Sequence, residues 1–297
     1  MEKEKNKNIK RRLAVITAAV LVCSFVITVF GGWAKIYELF GLKENVNDDS
    51  SLTAAFFSVG CADCSLLTSG GKSLLIDSGE KSNSNNALHY MRQNGINKLD
   101  VVIITHFDSD HCNNLINIMK EIKIEKVVTS FAFENSGDGL ELIKAAESSG
   151  VKVEYVKFGD EINLDNMNIS VLSPKNEHKS ENDNSLVVMV GAFGKRLLFT
   201  GDAGKASERF MTENNAGLKC DVLKVSHHGS SSGTSEEFLT ALKPQYAVVS
   251  VGVNNYGLPS NRVIYRLEQF GVRMFRTDRD GNVIFKITDE EIRVKTD

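Results

Sequence analysis

Val101-Val102-Ile103-Ile104-Thr105-His106-Phe107-Asp108-Ser109-Asp110-His111 is the stretch on which the reading of this chain turns. Leu99 to Thr105 is a short apolar run rich in β-branched residues, which suits a strand buried on both faces. Past its end, His106 and Asp108 stand two apart on extended backbone and so point to the same side. Asp110 and His111 open a helix predicted from about Cys112 to Lys120 and turn toward a neighbouring position. Four metal-type side chains within six residues, where a buried strand runs out, predict two adjacent cation positions. His106 and Asp108 face one, Asp110 and His111 the other.

Two later segments repeat the arrangement. Asp202 follows the strand-like run Arg196-Leu197-Leu198-Phe199-Thr200, and Gly201 before it allows a close backbone approach, so Asp202 is the natural bridge between the two positions. His227-His228 follow Asp221-Val222-Leu223-Lys224-Val225, a third strand-like run. Three strands thus deliver metal-type residues at their C-terminal ends, the edge of α/β sheets where sites usually form. Any one of these residues alone reads as a turn former or a solvated loop residue. Four of the six His fall within the three segments, however, and only His89 and His178 lie outside, as surface or loop residues. The constellation indicates a dinuclear metal hydrolase.

Further segments accompany these in order: Phe57-Ser58-Val59-Gly60-Cys61-Ala62-Asp63-Cys64, Leu74-Leu75-Ile76-Asp77-Ser78-Gly79, Asn184-Ser185-Leu186-Val187-Val188, Lys224-Val225-Ser226-His227-His228-Gly229-Ser230, Ser250-Val251-Gly252 and Arg276-Thr277-Asp278-x-x-Gly281. Together with the two Asp-bearing segments above, they resemble the metallo-β-lactamase superfamily. More narrowly they are similar to the hydrolase domain of ComEC-type DNA-uptake (competence) proteins, from about Leu52 to Val294. The chain departs from that pattern at Cys61-Ala62 (usually Gln-Gly), at Cys112-Asn113-Asn114 (usually Ile-Gly-Gly) and at Leu258, where a His commonly precedes Pro259. None of these removes a metal ligand, so they bear on specificity.

The resemblance implies an α/β fold, a four-layer αββα sandwich, with a two-metal site on one edge. Carried over by position, His106 and Asp108 hold one metal, Asp110, His111 and His228 the other, and Asp202 bridges. His227 then faces a substrate phosphate as a catalytic residue. Two divalent ions about 3.5–4 Å apart would lower the pKa of a bridging water, making hydroxide the nucleophile. Asp110 would orient that water and take its proton, and Asp77 would steady a His ligand through its other nitrogen. Asp108 replaces a His common at its position, and no His occurs near 182–184, so the oxygen-rich ligand set suits manganese as well as zinc.

The amino end predicts location. Residues 13–33 carry no charge over 21 residues, enough to cross a hydrocarbon core of roughly 30 Å. The tail 1–12 holds six Lys and Arg against two Glu. The positive-inside rule keeps that tail in the cytoplasm and delivers the rest outside as a single-pass protein of the cell membrane. The run is long for a signal peptide and lacks a small-x-small cleavage site. Residues 34–51 form a polar linker to a hydrolase domain over 52–297, whose roughly 245 residues suffice for one large core.

Cys61 and Cys64 have CxxC spacing, but without a second pair they read as packing residues. Beyond the tail, 29 Lys and Arg stand against 36 Asp and Glu, a balance that does not grip long nucleic acid unaided. Lys195, Arg196, Lys205, Arg209, Lys219 and Lys224 are candidates for a local basic patch. The leading expectation is hydrolysis of a phosphodiester, DNA first by resemblance. A cell-wall phosphodiester, ester or lactam substrate is the alternative, and a non-catalytic metal-binding assembly module is a further one.

Overall fold

In the computed structural model, which describes Thr17 and residues 48–81, 85–130, 137–175 and 182–297, Val101–Ile104 is a fully buried strand. It lies inside an eight-stranded sheet, ordered Ile292–Thr296, Val283–Ile287, Leu52–Phe56, Cys64–Ser69, Lys72–Ser78, Val101–Ile104, Lys126–Ser130, Lys152–Val156. A second sheet has seven strands, ordered Arg273–Arg276, Tyr246–Val249, Val222–Lys224, Lys195–Phe199, Val187–Ala192, Met167–Ser173, Glu161–Leu164. The chain divides into two units, Met1–Asn45 with Gln93–Gly95, and Val46–Arg92 with Ile96–Asp297. The second unit contains both sheets and the site.

Strand alternation sorts the core into layers. Leu52, Ala54, Phe56, Val101 and Ile103 face Val188, Val190, Leu197, Phe199 and Val222 of the other sheet in one central cluster. Their neighbours Ala55, Val102 and Ile104 pack outward with Leu88, Met91, Ile118, Leu142 and Ala146 of the helices Asn85–Gln93, Leu115–Glu121 and Gly137–Ser148. On the opposite flank Val187, Leu198 and Leu223 pack with Met211, Leu239 and Leu267 of Lys205–Asn214, Glu236–Leu242 and Asn261–Gln269. The order is helix, sheet, sheet, helix. Period-two burial on both faces is why these strands read as continuous apolar runs.

The helix predicted over 112–120 is interrupted. Ser109–Cys112 and Leu115–Glu121 are separate helices. Between them Asn114 is buried, its N–H donating to the Gly79 carbonyl and its Nδ2 to the Ser78 carbonyl. Those bonds to the end of a neighbouring strand outweigh helix continuity. The tail 1–12, residues 13–33 apart from Thr17, residues 34–47 of the linker and His178 lie outside the described residues. No helix among the described residues is long and apolar enough to cross a membrane.

Phe56 and Phe199 stack across the two sheets with ring centroids 5.6 Å apart, and both are buried. Replacing Phe199 with Ala is expected to cost about 3–5 kcal/mol, read as a lower urea midpoint in equilibrium unfolding.

Candidate metal centre

Three imidazoles approach one another with their Nδ1 atoms already committed. Thr105 Oγ1 donates to Asp77 Oδ2 at 2.8 Å, so at His106, 3.1 Å away, it accepts the Nδ1 proton. His111 Nδ1 lies 2.9 Å from Asp77 Oδ2. His228 Nδ1 lies 2.8 Å from the Ser250 carbonyl, which can only accept. With each Nδ1 bearing its proton, the Nε2 atoms of His106, His111 and His228 are directed inward as potential ligands. Holding the remote nitrogen in this way is how proteins set the ring and tautomer of metal-binding His.

Asp202 lies between them. Its Oδ1 is 3.2 Å from His111 Nε2, and its Oδ2 is 3.8 Å from His106 Nε2 and 3.5 Å from His227 Nε2. His106 Nε2, His111 Nε2 and Asp202 Oδ1 are buried with no hydrogen-bond partner, and these three residues form one group able to hold a cation. Asp110, His111 and His228 form a second, with His228 Nε2 3.1 Å from Asp110 Oδ2. Buried polar atoms without partners are costly unless an ion completes them, so the residues fit a metal. Asp108 stands apart from both groups: its Oδ2 is 3.4 Å from His106 Nε2, and its side chain is 47% exposed.

His227 differs from its neighbour. Asn182 Nδ2, a donor, lies 3.1 Å from His227 Nδ1, so Nδ1 accepts and Nε2 carries the proton. His227 is half-exposed, and its Nε2 is a hydrogen-bond donor at the mouth of the site. Both residues have positive φ, 48° and 51°, a strained conformation for non-glycine residues that splays the two rings. Gly201, also at positive φ, makes its close approach to Thr105 and Ser185: an added Cβ would lie 2.9 Å from Thr105 Cβ and 3.1 Å from Ser185 Cβ.

The local field is set by carboxylates. Burial pushes the Asp202 carboxyl up, but His111, His106 and His228 hold it well below the usual range. Burial pushes His228 down, and Asp63 with Asp110 outweighs it, raising the imidazolium to about 10. The sequence pattern assigns no role to two of the participants: Asp63 stands only within a motif, and Lys224 is a candidate for a local basic patch. Lys224 is in fact 2% exposed, paired with Asp63, and is no part of a basic patch. A lysine in the middle of an apolar strand run was the available signal. Cys61 and Cys64 are both free.

A two-sheet sandwich with helices on both flanks and a His–Asp cluster at the strand ends defines the class of metallo-hydrolases. Residues 60–253 match the model of the Metallo-beta-lactamase superfamily, and the chain belongs to that superfamily. It is 34% identical over 199 residues to ComE operon protein 3 of Bacillus subtilis (strain 168), covering 66% of this chain and 26% of that protein. It is 28% identical over 228 residues to Competence protein ComA of Neisseria gonorrhoeae, covering 74% of this chain and 30% of that protein. The chain therefore spans less than a third of the length of either relative. Among solved structures, the metallo-beta-lactamase fold protein YhfI from Bacillus subtilis matches with a TM-score of 0.57 at 13% identity, covering 80% of this chain and 100% of that one. The fold is shared.

The raised His228 has a measurable consequence in chelator-treated protein. A cation whose folded pKa exceeds its unfolded value of about 6.5 contributes its full stability below that pH and loses it as pH rises toward about 10. Thermal melts of chelated protein are expected to show a midpoint that falls between pH 6.5 and 10, and falls less in His228→Ala.

Proposed function

We propose that this superfamily hydrolase is a phosphodiesterase acting on DNA or a related phosphodiester, dependent on two divalent ions and held at the membrane by residues 13–33. The observation that carries the reading is the Asp202 carboxylate, whose two oxygens divide between His111 on one side and His106 on the other. His106, Asp108 and Asp202 would hold one ion, and Asp110, His111, His228 and Asp202 the second. Charge supports two ions. With the imidazoles neutral as ligands, Asp63, Asp77, Asp108, Asp110 and Asp202 surround the site against one ammonium among the described residues, that of Lys224. The four negative charges left over equal those that two divalent cations neutralise.

When bound, such ions lower the pKa of water and offset charge on a leaving oxygen. Asp110, partly exposed at the mouth, orients the attacking water and receives its proton. His227 donates its Nε2 proton in a hydrogen bond to a phosphoryl oxygen, and Asn182 keeps that tautomer. Asp77 holds His111 and, through Thr105, His106. The carboxylate-rich donor set favours hard ions such as manganese over the three-His zinc arrangement suited to lactams, with zinc as the other candidate. DNA as the substrate class rests on the resemblance of the sequence motifs to the hydrolase domain of ComEC-type DNA-uptake proteins.

The test uses the full chain, stripped of metal and reloaded with manganese or zinc, then offered single-stranded DNA, bis(p-nitrophenyl) phosphate or a chromogenic lactam. Phosphodiester turnover is expected, falling on the order of 100-fold or more in Asp110→Ala and in His228→Ala. Turnover of the lactam alone would overturn the reading, and metal binding without any turnover would favour a non-catalytic module. His227→Ala is expected to lower turnover of the phosphodiester on the order of 100-fold while elemental analysis finds its metal content unchanged. Loss of an ion there would make His227 a ligand instead.

A further inference from the structure

We propose that Asp63 and Lys224 form a buried, charge-compensated positioning pair for the Asp110–His111–His228 side of the site. The inference rests on reading that group as a metal position. Asp63 is the residue that touches all three members. Its backbone N–H donates to the Asp110 carbonyl at 3.1 Å, its Oδ1 lies 3.4 Å from His228 Nδ1, and its Oδ2 lies 3.8 Å from His111 Nδ1. Lys224 Nζ stands 2.5 Å from Asp63 Oδ2 and donates to the Val225 carbonyl at 2.9 Å.

Stability alone does not account for the pair. Buried ion pairs are often replaceable by apolar residues at no cost, because desolvation consumes the Coulombic gain. The location of this one is informative. Asp63, Asp77 and His111 make a third group with cation-binding geometry, and the Lys224 ammonium sits against its Asp63 oxygen as a cation supplied by the strand Val222–Lys224. Both Nδ1 atoms bond elsewhere, His111 to Asp77 and His228 to the Ser250 carbonyl, and Asp63 Oδ1 has no hydrogen-bond partner, so the carboxylate acts on the two imidazoles through its charge. The ammonium offsets that charge, so the pair adds no net charge to that of Asp77, Asp108, Asp110 and Asp202. Asp63 is a positioning residue; it reaches the centre only through His111, His228 and Asp110.

The pair predicts opposite signs for its two halves. In the full chain, manganese binding is measured by isothermal titration calorimetry, with stoichiometry from elemental analysis and folding from circular dichroism, for Asp63→Asn, Lys224→Met and the double variant. Asp63→Asn leaves an uncompensated ammonium behind His228 and is expected to weaken one ion about 10- to 100-fold. Lys224→Met is expected to bind at least as tightly as wild type, and the double variant to return to within about threefold. A purely structural pair would weaken binding in both single variants, and that result overturns the proposal, as does a folded double variant as weak as Asp63→Asn. If Asp63→Asn does not fold, Lys224→Met and the double decide: both near wild type supports the pair, both tenfold weaker overturns it. A wild-type protein that binds no divalent ion removes the metal-centre reading itself, and this proposal with it. A wild type that binds two ions, unaffected by Asp63→Asn, removes only the pair.

Discussion

Thr105 is the contact on which the edge of the sandwich depends. Its N–H and hydroxyl bond the Asp77 carboxylate within the first sheet, and its carbonyl accepts from Leu186 N–H at 2.8 Å, just before a strand of the second. Its side chain lies so close to Gly201 that no Cβ fits there. One residue therefore fixes the separation between the end of Val101–Ile104 and the turn carrying Asp202. The same hydroxyl sets the tautomer of His106. Sheet packing and ligand orientation are thus one constraint, which is why the catalytic edge can be both buried and polar without collapsing.

Around that stitch the molecule concentrates charge where charge is expensive. Asp63, Asp77 and Asp202 are nearly or wholly buried, as are His106, His111 and His228. Burial alone would neutralise such carboxylates, yet Asp63 and Asp202 remain well below the usual range because imidazoles and Lys224 outweigh desolvation. In the proposed centre a proton and a divalent ion would compete for the same pair of atoms on His228 and Asp110. Metal binding there would be linked to protonation, and the sandwich supplies the frame that keeps the group assembled.

Much of this was legible in the chain. Val101–Ile104, Lys195–Phe199 and Val222–Lys224 are strands where apolar runs predicted them, and His106, Asp202 and His228 follow their ends. Asp77 was readable as a partner to a His because metal-binding imidazoles need one. Other features were not readable. The break at Asn113-Asn114 follows from buried bonds to Ser78 and Gly79, residues distant in sequence. Lys224 looked like surface charge because a strand's pattern does not reveal that its one polar side chain has a buried counter-ion 161 positions away.

The sequence by itself determined which residue types stand at which strand ends, because period-two burial and a break into polar residues are local properties. It also determined the superfamily, through the order and spacing of those segments. Only the tertiary structure decided that Val101–Ile104 belongs to one sheet and the strands before Asp202 and His227 to the other. The centre is therefore built across two sheets. The structure likewise separated His228, its Nδ1 bound to a carbonyl, from His227, its Nδ1 facing an amide donor. A tautomer is set by what lies opposite a ring nitrogen in space, and adjacent residues in a sequence can have opposite partners.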